Sequence, residues 1–154
     1  MRKKSSLLAL LICSSIYAQD ISIASVKNNI QLGALANNRD LVFGIKNILE
    51  ESLQQKGYDI NPNANRSIEV EILYFDVKTN SMQLAIYSNT EEVTEIIMQG
   101  RLLLDGKVIK KAVAKGQATS ISASTLIIDK GGKFSQANVS SAIKKVCEQL
   151  IQKL

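Results

Sequence analysis

Histidine and tryptophan are both missing from this 154-residue chain, and there is a single proline. Without histidine, neither a serine–histidine–aspartate triad nor a cysteine–histidine pair can be built. The commonest zinc ligand is missing too. Cysteine is nearly as scarce, with only Cys13 and Cys147. Cys13 falls in a stretch that reads as a leader, so the remainder holds one thiol and can form no internal disulfide. Cys147 sits on the apolar stripe of a helix, where a small buried side chain is its expected role.

The leader explains most of the chain's charge. Arg2, Lys3 and Lys4 precede the apolar run Leu7 to Cys13, and small and polar residues follow. A basic region, a short apolar core and a small residue at the cut make a secretory signal peptide. The apolar run falls well short of the roughly 20 residues a membrane span needs. The expected cut follows Ala18, leaving Gln19 as the new N-terminus. Lipidation of Cys13 is the alternative. It is disfavoured by the branched Ile12 before that cysteine and by the apolar core still running through it. The leader holds three of the 19 basic residues and none of the 14 acidic ones, so residues 19–154 carry 16 against 14. A net charge of only +2 removes most of the case for nucleic-acid binding, which wants a basic stripe on the folded domain.

Residues 19–154 suffice for one domain with a substantial core. Alternation predicts a short strand at 21–26. Val42, Ile45, Leu49 and Leu53 recur at helical spacing, with Leu41 and Ile48 beside them, predicting a helix over 39–56. Asn37 or Asn38 can cap it, Asp40 complements its dipole, and Gly57 can end it in the left-handed conformation. A loop around Pro62 follows. Four strands are then predicted, at 67–77, 82–88, 94–104 and 107–122. "KTNS" and "NTEEV" are read as turns, and Asp105-Gly106 as a two-residue hairpin. A loop at Gly131-Gly132 leads to a closing helix carrying Val139, Ile143, Val146, Cys147, Leu150, Ile151 and Leu154. The expected fold is α+β: a four-stranded antiparallel meander with two helices packed on one face, plus a short N-terminal strand.

Reactive constellations are sparse. Glu50-Glu51, Glu91-Glu92-Glu95 and Asp76 could supply carboxylates, but adjacent residues point different ways, and a solvated face is the simpler reading. Gly131-Gly132 lacks the spacing of a phosphate loop. No cofactor or metal site is expected. The basic group Arg101, Lys107, Lys110, Lys111 and Lys115 stands out more. A two-residue loop at Asp105-Gly106 pairs Leu102 with Ile109 and Met98 with Val113, and it sets Arg101 opposite Lys110. That pair is the candidate contact for an anion or a partner.

The stretch "NNRDLVFGIKNILEESLQQKGYDINP" resembles the signature of the YajG family of bacterial envelope lipoproteins. Arg39, Asp40, Leu41, Phe43, Leu49, Glu50, Gly57 and Tyr58 occupy the matching places. "LYFDV" is similar to the family's next strand through Leu73, Tyr74, Asp76 and Val77. The resemblance covers most of 36–154. It implies an exported protein, periplasmic or associated with the outer membrane, with no catalytic residues to carry over. The family is usually lipidated, and Ile12-Cys13 departs from its pattern. The leading expectation is therefore a non-enzymatic envelope protein that binds an envelope protein or an anionic envelope component. It would have no nucleic-acid partner and no transmembrane helix after the cut. Two alternatives stay open: a carrier of an apolar ligand between helices and sheet, and a small carboxylate-based hydrolase.

Overall fold

The computed structural model describes residues 19–30, 41–84, 87–125 and 136–154. The leader with Ala18 and Cys13, the residues Asn37, Asn38, Arg39 and Asp40, and the Gly131-Gly132 loop lie outside the described residues. In chain order the elements are β1 (Gln19–Asn28), α1 (Leu41–Gln55), β2 (Tyr58–Ile60), β3 (Arg66–Leu84), β4 (Tyr87–Leu104), β5 (Lys107–Thr125) and α2 (Gln136–Lys153). They build one five-stranded sheet in the order β2-β1-β3-β4-β5. β1 runs parallel to both β2 and β3, while β3, β4 and β5 form an antiparallel meander. The fold is α+β as expected, but the sheet is mixed and has five strands.

The four-stranded meander needs correction. "KTNS" is not a turn: residues 78–81 lie inside β3, paired from Lys78↔Val93 to Ser81↔Thr90. The reversal comes later, after the pair Leu84↔Tyr87, inside the strand predicted at 82–88. "NTEEV" is likewise part of β4. Four short strands thus become three long ones. The polar run misleads because residues 78–82 are all exposed. A solvated stretch of a hairpin needs no apolar alternation, since the neighbouring strand satisfies its backbone.

Both helices form where expected, although in α1 Leu41 and not Val42 opens the buried stripe. α1 buries Leu41, Ile45, Leu49 and Leu53, and α2 buries Val139, Ala142, Ile143, Val146, Cys147 and Leu150. They meet Ile68, Val70, Ile72, Phe75, Ile96, Met98, Leu102, Ala114 and Ala118 from the sheet in one core. Each large aliphatic side chain buried there contributes about 1.5–3 kcal/mol. α1 ends as its sequence suggests: Gly57 has φ 85°, and its N–H donates to Gln54 O at 2.9 Å.

β5 explains how α2 lies so close. Its helix-facing positions are Ala112, Ala114, Gly116, Ala118 and Ser120, all small. A Cβ on Gly116 would stand 2.0 Å from Ala142 O and 3.0 Å from Val146 Cβ. On Gly100 of β4 it would meet Leu154 Cδ1 at 2.8 Å, the far end of a flexible side chain. Gly116 therefore fixes the distance between helix backbone and strand, and Gly100 does so far less strictly.

Two glycine substitutions test this arrangement. Gly116→Ala should cost about 3 kcal/mol, because the obstructing atom is backbone and α2 must lift. Gly44→Ala in α1, with nothing within 4 Å of the new Cβ, should gain up to about 1 kcal/mol from helix propensity. Urea denaturation of both variants checks the opposite signs. Similar shifts would refute the tight seat of α2.

Candidate interaction surface

One face of the sheet carries the two helices, and the other carries none among the described residues. On β4 the helix-facing positions are the even ones, from Glu92 to Leu102, and the odd ones point to the open face. That face is laced with charges. Arg101 is central: its Nη2 lies 3.2 Å from Glu71 Oε2 and its Nη1 3.6 Å from Glu69 Oε2. Glu71 also accepts from Asn29 Nδ2 at 3.0 Å, so one carboxylate joins the β1 end to β4. Farther along, Lys115 pairs with Glu95 at 2.7 Å. Tyr74 donates to Asp76 at 3.0 Å. Its phenol pKa is raised, first by that hydrogen bond, then by burial and by the negative charges of Asp76 and Glu95.

The expected pairing of Arg101 with Lys110 does not occur. The register shifts between Leu102 and Leu103: Leu103 pairs with Val108 but Leu102 pairs with Lys110. Ile109 is the extra residue of a β-bulge. Beyond it Arg101 faces Lys111, Gln99 faces Val113 and Met98 faces Ala114. The structure therefore brings Arg101 beside Glu69, Glu71 and Lys111, and leaves Lys110 exposed one position away. Gln19, the expected first residue after the cut, opens β1, and its side-chain oxygen accepts from Arg66 Nη1.

β5 is the last strand of the sheet, and its backbone is partly covered. Lys153 Nζ donates to Val113 O at 2.8 Å and Lys145 Nζ to Gln117 O at 2.9 Å. Ammonium groups on an edge strand discourage pairing with another chain. β5 itself holds Lys107, Lys110, Lys111 and Lys115 and no acidic residue. Lys107, Lys110 and Lys111 form no ion pair with another described residue.

Sequence reasoning missed a buried polar knot under the start of α2. Asn138 Nδ2 lies 2.7 Å from Ser120 Oγ and 3.2 Å from both Glu92 O and Glu92 Oε1. Glu92, grouped with Glu91 and Glu95 as a solvated carboxylate, is 8% exposed. The signal was its even position in β4, which the misplaced turn concealed. The knot ties α2 to β4 and β5.

The arrangement offers little to reaction chemistry. Cys147 is free and fully buried. Burial, with a smaller contribution from Glu148, pushes its thiol from 9.0 up to about 12. Such a thiol is a packing group and a poor nucleophile. Among the described residues no three carboxylates or thiols gather as a metal site. The hollows are open surface grooves. One of about 500 Å³ is lined by Ser22, Lys46, Pro62, Asp105 and Gly106. Another of about 350 Å³ lies between the outer sides of α1 and α2, at Ser52, Lys56 and Glu148. The first opens between α1, at Lys46 and Glu50, and the sheet, at Ser22, Ile60 and Ser67; neither enters the contact between α2 and β5, where Gly116 meets Ala142. Among the described residues no helix is long and apolar enough to cross a membrane.

Comparison with known proteins gives one broad match. The model of a family described as "Uncharacterized lipoprotein" matches residues 19–154. No curated protein matches. Among solved structures the chain is similar to the minor lipoprotein from Acinetobacter baumannii, at 12% identity over 87% of this chain and 88% of that one, TM-score 0.47. It is also similar to the PelC dodecamer from Paraburkholderia phytofirmans, at 15% identity over 86% of each chain, TM-score 0.46. A lipoprotein from Neisseria meningitidis is similar at 10% identity over 88% of this chain and 99% of that one, TM-score 0.45.

Two stability predictions follow from these side chains. Arg101→Glu would set three carboxylates together on the open face and should cost about 1–2 kcal/mol. Lys110→Glu should stay within about 0.5 kcal/mol. Equal denaturation midpoints would contradict the placement of Arg101. The second concerns Cys147. Its folded pKa is raised, so the folded state keeps the proton that the unfolded chain releases. Its stabilising share is full below pH 9 and is lost as pH rises toward 12. The slope is about 1.4 kcal/mol per pH unit. Cys147→Ala should therefore lose less stability than the parent between pH 8 and pH 10.5. Parallel urea curves at the two pH values would show otherwise.

Proposed function

We propose that this chain, which belongs to the family of uncharacterised lipoproteins, is a non-enzymatic binding protein of the bacterial cell envelope. The family membership supports the envelope location. The resemblance to YajG proteins, through Leu41, Leu49, Glu50, Gly57, Tyr58 and Asp76, supports the finer assignment. The observation that carries the binding role is the separation of charge. The open-face cation Arg101 is held by two carboxylates, whereas three lysines near the start of β5 have no acidic partner among the described residues. Unneutralised charge gathered in one place favours an oppositely charged partner and steers its approach. The partner is an envelope protein or an anionic envelope component. The seat of α2 on β5 argues against an apolar ligand carried between helices and sheet. The buried thiol of Cys147 argues against covalent catalysis at that residue.

Export removes residues 1–18 on this reading, and Cys13 is the rival attachment point. A mass measured on the exported form decides between them. A chain beginning at Gln19 supports cleavage after Ala18. A diacylglycerol mass on Cys13 replaces that reading with a lipid-anchored one.

Retention on isolated envelope fractions tests the binding role. Lys107→Glu, Lys110→Glu and Lys111→Glu together should weaken retention at least about tenfold and flatten its fall with added salt. Unchanged retention and an unchanged salt slope would overturn the role given to these lysines.

A further inference from the structure

We infer that the tip of the β4–β5 hairpin is a membrane-docking element that seats on an anionic lipid surface. The inference rests on the envelope reading above and names one partner within it. Four observations converge on the tip. The first is exposed apolar surface. Leu104, Val108 and Ile109 are 38%, 53% and 52% exposed, which puts three large hydrophobic side chains within six residues. Such a concentration in so short a segment marks an interaction site, whereas the same residues scattered singly would not. The second is charge. Lys107, Lys110 and Lys111 flank Val108 and Ile109, and Asp105 in the turn is the only acidic residue from 102 to 113. Apolar groups that enter the interface beside lysines that meet headgroups are the composition of a surface-seated element. Each lysine near an anionic membrane adds about fivefold in affinity.

The third observation is the bulge. Ile109 is the residue skipped by the register between β4 and β5. A bulge of this kind re-aims side chains at the end of a strand. It leaves two successive apolar residues, Val108 and Ile109, both exposed. Strict alternation would have sent them to opposite faces of the sheet.

The fourth is the position of the chain's N-terminal side. β1 begins at the same end of the sheet as the tip. Gln19 accepts from Arg66, Arg66 pairs with Leu104, and Asp105 N donates to Asn65 O at 2.8 Å. Whatever precedes Gln19 therefore enters the domain beside the hairpin. The six steps from Cys13 to Gln19 span about 20 Å at full extension. A lipid on Cys13 would hold this end of the domain within that reach of the bilayer. Another exposed apolar pair, Met82 and Ile121, lies at the opposite end of the long strands and has no lysine among the residues lining its groove.

Co-sedimentation of the exported protein with vesicles tests the inference. The probes are phosphatidylglycerol–phosphatidylcholine vesicles and pure phosphatidylcholine vesicles, across a salt series. Binding to the anionic vesicles should exceed binding to the neutral ones by at least about tenfold at low salt and should fall as salt rises. Val108→Ser with Ile109→Ser should lower binding about tenfold and leave the anionic preference in place. Lys107→Gln, Lys110→Gln and Lys111→Gln together should remove that preference. Met82→Ser with Ile121→Ser should change neither. Circular dichroism confirms that each variant is folded.

A second readout stays informative if the exported form is lipidated. Ile109→Cys carrying an environment-sensitive dye should shift to the blue on anionic vesicles, and Ile121→Cys should not. The buried Cys147 does not compete for the dye. Equal binding to both vesicle types, no effect of the tip variants, or an equal blue shift at the two labels would each overturn the inference. Retention on envelope fractions without any vesicle binding would also overturn it and leave the broader binding role standing. Capture by immobilised polyglutamate without vesicle binding would assign the tip to an acidic protein instead.

Discussion

The fold depends on one close approach, the backbone of α2 at Ala142 against β5 at Gly116. A side chain of any size at Gly116 would collide with a carbonyl oxygen that the helix itself holds in place. Ala112, Ala114 and Ala118 keep the rest of that strip low. From this seat α2 reaches three ways. Its first turn sends Asn138 into the knot with Glu92 and Ser120. Its outer side sends Lys145 and Lys153 over β5 carbonyls. Its inner stripe closes the core with Val146, Cys147 and Leu150. Raising the helix would loosen all three together and open room between α2 and the sheet.

The sequence made some of this legible because some signals are local. Both helices followed from apolar spacing, and Asp105-Gly106 marked its hairpin because few residues accept the backbone there; Asp105 has φ 50° and Gly106 φ 75°. Pairing between distant strands is not local. Nothing in "ISIASV" says that β1 runs parallel to β3 between β2 and β3. β2 is three residues long, too short for alternation to register. The "KTNS" error has the same root. Polar residues mark a turn when the strand around them is half buried, and they mark nothing where a hairpin extends into solvent on both faces.

The candidate site was half legible for a related reason. Composition picked out the basic residues from 101 to 115. Their grouping required the register, and the register turned on one bulge at Ile109 that alternation conceals. Alternation alone therefore sets Arg101 opposite Lys110, whereas in the fold it faces Lys111. Its true neutralising partners, Glu69 and Glu71, are about 30 residues away in sequence and become neighbours only through the pairing of β3 with β4. A charge that looks free in the sequence is thus held in the fold, and the ones without an ion pair among the described residues are Lys107, Lys110 and Lys111.

That sorting of charge has a physical consequence for an envelope protein. Pairing Arg101 with Glu69 and Glu71, and Lys115 with Glu95, removes long-range attraction from the open face and leaves it at one end of the sheet. Charge confined to one end orients a molecule as it approaches an oppositely charged surface, whereas the same charge spread over a face draws it in without a preferred attitude. The apolar side chains at that end then act at short range, after the lysines have set the approach. A single weak membrane contact is readily reversed, and two acting together hold far longer, because the first raises the effective concentration of the second. The chain enters the domain at Gln19, beside the hairpin. A lipid attached upstream would therefore place Lys107, Lys110 and Lys111 at the bilayer without any change in the fold. Removal of the leader would leave the same hairpin as a reversible contact, governed by salt.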